Sequence, residues 1–119
     1  MIDDGVVSDA MALGAATLGE SGARRMHRRV KPVWSGARVA GPAYPVRCSP
    51  GDNLGIHVAV TRAPAGSILV ADMSGERDFG YWGEVLTTGA EARGLAGLVI
   101  DGGVRDSAAL ASHLSLIHI

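Results

Sequence analysis

The chain has 119 residues, 47% of them hydrophobic and 19% charged, which suits one core and is too little for two. A formal net charge of -1 excludes a broad electrostatic attraction to nucleic acid or anionic lipid, so any such partner must meet a local patch. No apolar run approaches the ~20 residues of a membrane span. The first residues lack a basic region before an apolar run, and the single cysteine, Cys48, has no internal disulfide partner, so a cytoplasmic protein is expected.

Taken in chain order, Ser8 and Asp9 are placed to cap a short helix over residues 9–13 that Gly14 ends. Residues 19–31 read as a polar link in which Arg24, Arg25, Arg28 and Arg29 surround His27; the patch could contact RNA or an acidic protein, and a solvated loop explains it as well, so a nucleic-acid partner is not expected. The segments ARVA and AYPVRC read as short strands divided by the Gly41-Pro42 turn, and Pro45 puts the second at a sheet edge or bulge. SPGDN is a turn before a helix that Asp52 or Asn53 caps and that runs to Ala63-Pro64.

SILVAD is then a continuous apolar run of the kind buried on both faces of a sheet. Residues 75–80 form a polar loop, residues 82–93 a helix closed by Gly94, and residues 97–101 a second buried strand. Strand, helix and strand with short links imply a parallel crossover, an α/β architecture. A last helix begins at Asp106 or Ser107 and runs through Leu110 towards His113.

Ligands of open parallel sheets sit outside the carboxyl ends of the strands, where Asp72, Asp101, Gly102, Gly103, Arg105 and Asp106 gather. A helix start leaves its first N–H groups without partners, so Gly83, Glu84, Val85 and Leu86 offer amides to a carboxylate or phosphate. One helix and one strand consume the 20 residues between Glu84 and Arg105, which returns both to one rim. Arg105 supplies a fork suited to a carboxylate or enolate, and Asp106 a hard oxygen suited to magnesium. Together they could hold a 2-oxo acid for aldol or decarboxylation chemistry. A plain turn, with Asp106 capping a helix and Arg105 in a surface ion pair, accounts for the same residues.

WGEVLTTGAEARGLAGLVIDGGVRD resembles the core of the 4-hydroxy-4-methyl-2-oxoglutarate aldolase family, which includes the RraA-like regulators of ribonuclease activity. The likeness extends through SGARVAGPAYPVRCSPGDN and SILVAD and covers roughly residues 6–110. It implies a swivelling β/β/α domain assembled as trimers or hexamers, with active sites between subunits. It further implies that Gly83, Glu84, Val85, Leu86 and Arg105 bind a pyruvyl substrate, that Glu84 and Arg105 act in catalysis, and that Asp106 binds magnesium or manganese.

The expected activity is a metal-dependent lyase that releases pyruvate from 4-hydroxy-4-methyl-2-oxoglutarate-type acids and can decarboxylate oxaloacetate. The alternatives are a non-catalytic protein that binds and inhibits a ribonuclease, and a metal-free structural remnant. An old methyltransferase label in the family finds no support here, because no glycine-rich nucleotide loop follows a strand. Family members continue with further strands past the Arg-Asp helix, so residues 1–113 read as one C-terminally truncated domain. Residues 114–119 resemble translated sequencing-adapter read-through and are expected to be a non-native tail, so His118 is not read as a ligand.

Cys48 reads as a small core residue, His57 as a hydrogen-bonded structural histidine and Trp82 as packing. No zinc-ligand spacing or serine-hydrolase elbow is present. Asp52 and Asn53 could reach the rim, while Asp72, Glu76 and Asp78 border it and could orient metal-bound water.

Overall fold

The computed structural model describes residues 2–112 and the backbone of residues 117–118. Its main sheet is parallel, in the order β1 (Ala43–Arg47), β2 (Ile68–Asp72), β4 (Gly97–Asp101) and β6 (Ile117–His118). Between β2 and β4 the chain forms β3 (Gly80–Trp82) and α4 (Glu84–Ala92), and after β4 it forms β5 (Gly103–Val104) and α5 (Ser107–Ser112). Pro45 lies on β1 at the edge of the sheet, where its missing N–H costs no ladder bond.

Register explains how the core is filled. Tyr44, Leu69 and Leu98 stand side by side across three strands, as do Val46, Ala71 and Ile100. These rows join Ile56, Ala59 and Val60 of α3 (Leu54–Arg62), Ala90 of α4 and Leu110 of α5 in one apolar cluster. Successive residues of a strand point to opposite faces, so the row of Pro45, Val70 and Val99 faces the other way and is exposed or half-buried. SILVAD and GLVID are thus well covered on one face, not buried on both, because the helices that bury side chains feed a single cluster. The other face is overlain by the irregular segment carrying Met26 and Val39, with a cleft of about 200 Å³ between.

Several boundaries differ from the expected ones for local reasons. The first helix, α1 (Asp4–Leu13), starts well before Ser8, because the Asp3 carboxylate accepts the Val6 N–H at 2.9 Å and caps it. A second short helix, α2 (Ala15–Glu20), follows Gly14, so the irregular basic link begins only after Glu20. The ARVA segment forms no strand. Instead Val39 lies over the face of the sheet beside Ile68, Val70 and Val99.

Trp82 is not helical but ends β3, which pairs in parallel with β5 through Gly80 with Gly103 and Trp82 with Val104. Part of the expected Gly102–Asp106 turn is therefore strand. α4 ends as expected before Gly94, whose φ of 73° is left-handed and costs a glycine little. Asp52 accepts the Leu54 N–H at the start of α3, whereas the Asn53 side chain donates instead to the Tyr81 carbonyl at 3.0 Å. His113 lies outside the described residues. Among those residues no helix is long and apolar enough to cross a membrane.

Candidate functional site

The small β3–β5 sheet brings the two ends of the Glu84 to Arg105 interval together. Arg105 donates its N–H to the Trp82 carbonyl at 2.7 Å, which carries the Arg-Asp pair alongside Gly83 and the first turn of α4. Asp106 then adopts a left-handed backbone with φ 59°, a conformation that Asp tolerates better than most residues. In that pose its Oδ2 accepts the Glu84 N–H at 3.2 Å. A carboxylate there meets both an unpaired donor and the positive end of the helix dipole.

Gly83 makes this approach possible. A methyl group added there would lie 2.7 Å from Asp106 Oδ2, 2.9 Å from Arg105 Cγ and 3.0 Å from Arg105 Nε. The structure thus places Gly83, Glu84, Arg105 and Asp106 at one point. Leu86 is half-buried beside them, and Val85, 81% exposed, leaves the solvent side open. Two buried side chains, Trp82 and Thr87, hold the helix start in place. Buried Trp82 donates Nε1–H to Thr87 Oγ1 at 2.7 Å, and Thr87 donates both its hydroxyl and its N–H to the Gly83 carbonyl at 3.0 Å.

An indole N–H five residues before a threonine gives no sequence signal, because their contact depends on the strand-to-helix bend. Thr87→Val, which keeps the shape and strands the buried indole N–H, is expected to cost about 1–3 kcal/mol in urea unfolding, with Thr87→Ser close to native. An unchanged midpoint in Thr87→Val would discount this bond.

Asp72, Glu76 and Asp101 are engaged elsewhere, and Asp78 is exposed. Asp72 takes the Ser74 N–H at 2.9 Å and Arg47 Nε at 3.0 Å, and these bonds lower its pKa. Glu76 accepts the Asp78 N–H at 3.2 Å, and its carbonyl accepts the buried Tyr81 hydroxyl at 2.8 Å. Asp101 is gripped by Arg77, with Nε at 2.7 Å and Nη2 at 3.1 Å, and by Arg29, with Nη2 at 2.8 Å. The two guanidinium groups hold its pKa down to about 2.

A depressed pKa stabilises the fold above the ordinary carboxylate value, and that contribution fades as pH falls towards the folded value. Thermal stability is therefore expected to fall between about pH 4 and about pH 2, and Asp101→Asn should flatten this part of the profile. An identical acid limb in Asp101→Asn would assign the loss to other groups.

Cys48 is buried in the core, where desolvation raises its thiol pKa and favours the neutral thiol. His57, expected as a hydrogen-bonded structural histidine, lies on the exposed side of α3. Among the described residues no three His, Cys, Asp or Glu side chains converge as a ready-made metal cage. Magnesium usually keeps several waters and takes one or two carboxylates plus substrate oxygens, so the hard oxygens of Asp106 still fit that ion as its protein anchor.

Fold and site together define an α/β domain whose parallel sheet delivers a helix start and an Arg-Asp pair to one rim. The pattern of the RraA-like family, Aldolase/RraA, matches residues 5–115, and the chain belongs to that family. It is 35% identical over 77 residues to a provisionally named 4-hydroxy-4-methyl-2-oxoglutarate aldolase of Halalkalibacterium halodurans, covering 65% of this chain and 37% of that protein.

Among solved structures it superimposes on an uncharacterised Pseudomonas syringae pv. tomato protein with TM-score 0.79 and 26% identity, covering 98% of this chain and 56% of that one. RraAS2 of Streptomyces coelicolor, described as an unusual member of the RNase ES inhibitor RraA family, gives TM-score 0.72 and 26% identity, covering 92% and 59%. The chain thus has the α/β RraA-like fold and spans about a third to three fifths of the length of these relatives.

Proposed function

We propose that this chain carries the site of a divalent-metal-dependent lyase that releases pyruvate from 4-hydroxy-4-methyl-2-oxoglutarate-type 2-oxo acids, with oxaloacetate decarboxylation as a related activity. The observation that carries this reading is the convergence of Asp106 and Arg105 on the Gly83–Glu84 amide at the start of α4. The Gly83, Val85 and Leu86 amides and the Arg105 guanidinium bind the substrate carboxylate beside the Glu84 N–H that Asp106 holds, and the same guanidinium steadies charge that develops on the 2-oxo oxygen. Glu84, at the solvent edge of the rim, is the acidic side chain placed to exchange a proton with the leaving fragment or water.

Asp106 anchors magnesium or manganese, which when bound acts as a Lewis acid towards the 2-oxo acid. The exposed Val85 suits completion of the site by a neighbouring subunit, as in a trimer or hexamer of a cytoplasmic enzyme. A ribonuclease-binding role is the second reading, favoured by the exposed Arg24, Arg25 and Arg28. It loses Arg29, which is committed to Asp101.

The test is a pyruvate-release assay with magnesium or manganese, with chelator, and with Asp106→Ala. Turnover is expected to need the metal and to fall about 100-fold or more in the variant. Metal-independent turnover, or none in the native protein, would sink the lyase reading. Charge reversal at Arg24 and Arg25 with ribonuclease binding intact would count against the regulator.

A further inference from the structure

Arg105 follows β5 onto the rim, where its side chain is exposed, and an unsupported arginine stem samples many rotamers. Two glycines set its course. A methyl group added at Gly80 would lie 3.3 Å from Arg105 Cβ and 3.5 Å from both Cγ and Cδ, so the methylenes run flat along the Gly80 backbone. At Gly83 the same side chain comes closest with Cγ and Nε. The stem therefore passes from Gly80, at the start of β3, to Gly83, just beyond its end, and carries the guanidinium towards α4.

Neither backbone conformation nor packing within the fold requires glycine at position 80. Its φ lies outside the left-handed region, so other residues adopt the same backbone. The three atoms nearest to its methyl position all belong to Arg105. Other glycines of the rim differ. Gly102 is hemmed in by Met73 and the Tyr81 ring, and Gly103 by the backbone of Arg77 and Phe79, so close packing accounts for both. A glycine in a strand is less stabilising than alanine, and its presence there marks the close approach of another group. At Gly80 that group is the Arg105 stem.

We propose that Gly80 is a positioning residue for Arg105: its bare backbone is a shelf that orders the arginine stem and fixes where the guanidinium fork meets the substrate carboxylate. Its functional weight rests on Arg105 as the carboxylate-binding group of the proposed lyase. A side chain at position 80 lifts the stem, and the fork loses its approach to the amides at the start of α4. Stability and activity then part company, as they do where a residue is kept for a site and not for the fold.

The experiment compares the native chain with Gly80→Ala and Gly80→Val. Urea midpoints are expected to equal or exceed the native one, because alanine and valine suit a strand better than glycine. NMR relaxation of the Arg105 Nε–H group is expected to show an ordered stem in the native chain and, in Gly80→Val, a stem as mobile as that of the exposed Arg24. For pyruvate release with magnesium, kcat/KM is expected to fall about 3-fold in Gly80→Ala, where the stem must give by only a few tenths of an ångström, and about 30-fold or more in Gly80→Val. KM should rise in both, because binding of the substrate carboxylate is weakened before any bond breaks.

The proposal is overturned if the native Arg105 Nε–H is as mobile as that of Arg24, if Gly80→Val leaves its mobility unchanged, or if Gly80→Val turns over with native KM and kcat. It also falls if both variants lose stability together with turnover, since Gly80 would then serve the fold. A native chain without turnover would sink the lyase reading alone, and the relaxation data would still decide whether Gly80 orders Arg105.

Discussion

Gly83→Ala is expected to keep the fold and to lower the rate of pyruvate release by about 100-fold, the cost of a misplacement near 1 Å in a reacting geometry. Gly83 has φ -154°, an extended backbone that alanine adopts freely, so no strain arises from the peptide itself. The added methyl would instead lie within 3.0 Å of Asp106 Oδ2 and of the Arg105 side chain. Both are exposed and can swing outward, which should limit the loss of stability to less than about 1 kcal/mol. Turnover and the urea midpoint measured on one preparation check this. Undiminished turnover would mean that close approach to Gly83 is not needed for the chemistry, and collapse of the fold would mean that the rim is rigid.

Ile100→Ala is expected to destabilise the chain by about 2–5 kcal/mol, a large part of the about 5–15 kcal/mol typical of a domain. Ile100 is fully buried on β4, between Ala71 and the helices, where a lost side chain leaves a cavity the neighbours cannot close. Val99, the adjacent residue, points to the half-covered face, and Val99→Ala should cost about 1 kcal/mol or less. Equal losses in the two variants, read from urea unfolding, would contradict a sheet well covered on one face only.

What could be read in advance was whatever a short stretch of chain decides by itself. SILVAD and GLVID are runs of residues that can only lower their exposure as central strands, and β2 and β4 are those strands. Pro45 excludes itself from a sheet interior, and Gly94 supplies the left-handed residue that ends α4. The arithmetic from Glu84 to Arg105 held as geometry because helix rise and strand rise are nearly constant, so the number of residues set the distance travelled. The family likeness pointed to the RraA-like fold, and the superpositions agree with it.

Other features were decided only when distant residues met. β3 and β5 are two or three residues long, too short to show a period of two, and they exist because Trp82 and Val104 pair across the intervening helix and strand. Which face of the main sheet is buried depends on where α3, α4 and α5 settle, not on the composition of the strands. Asp101 looked like one of several rim carboxylates until Arg29, 72 residues away, and Arg77, 24 residues away, closed on it. Sequence by itself determined the longer elements β2, α3, β4 and α4 and the charged ends they present, through local sterics and hydrophobic pattern. Tertiary structure alone decided which of those charges pair with each other and which face a ligand, because that choice turns on ångström-scale distances between segments far apart in the chain.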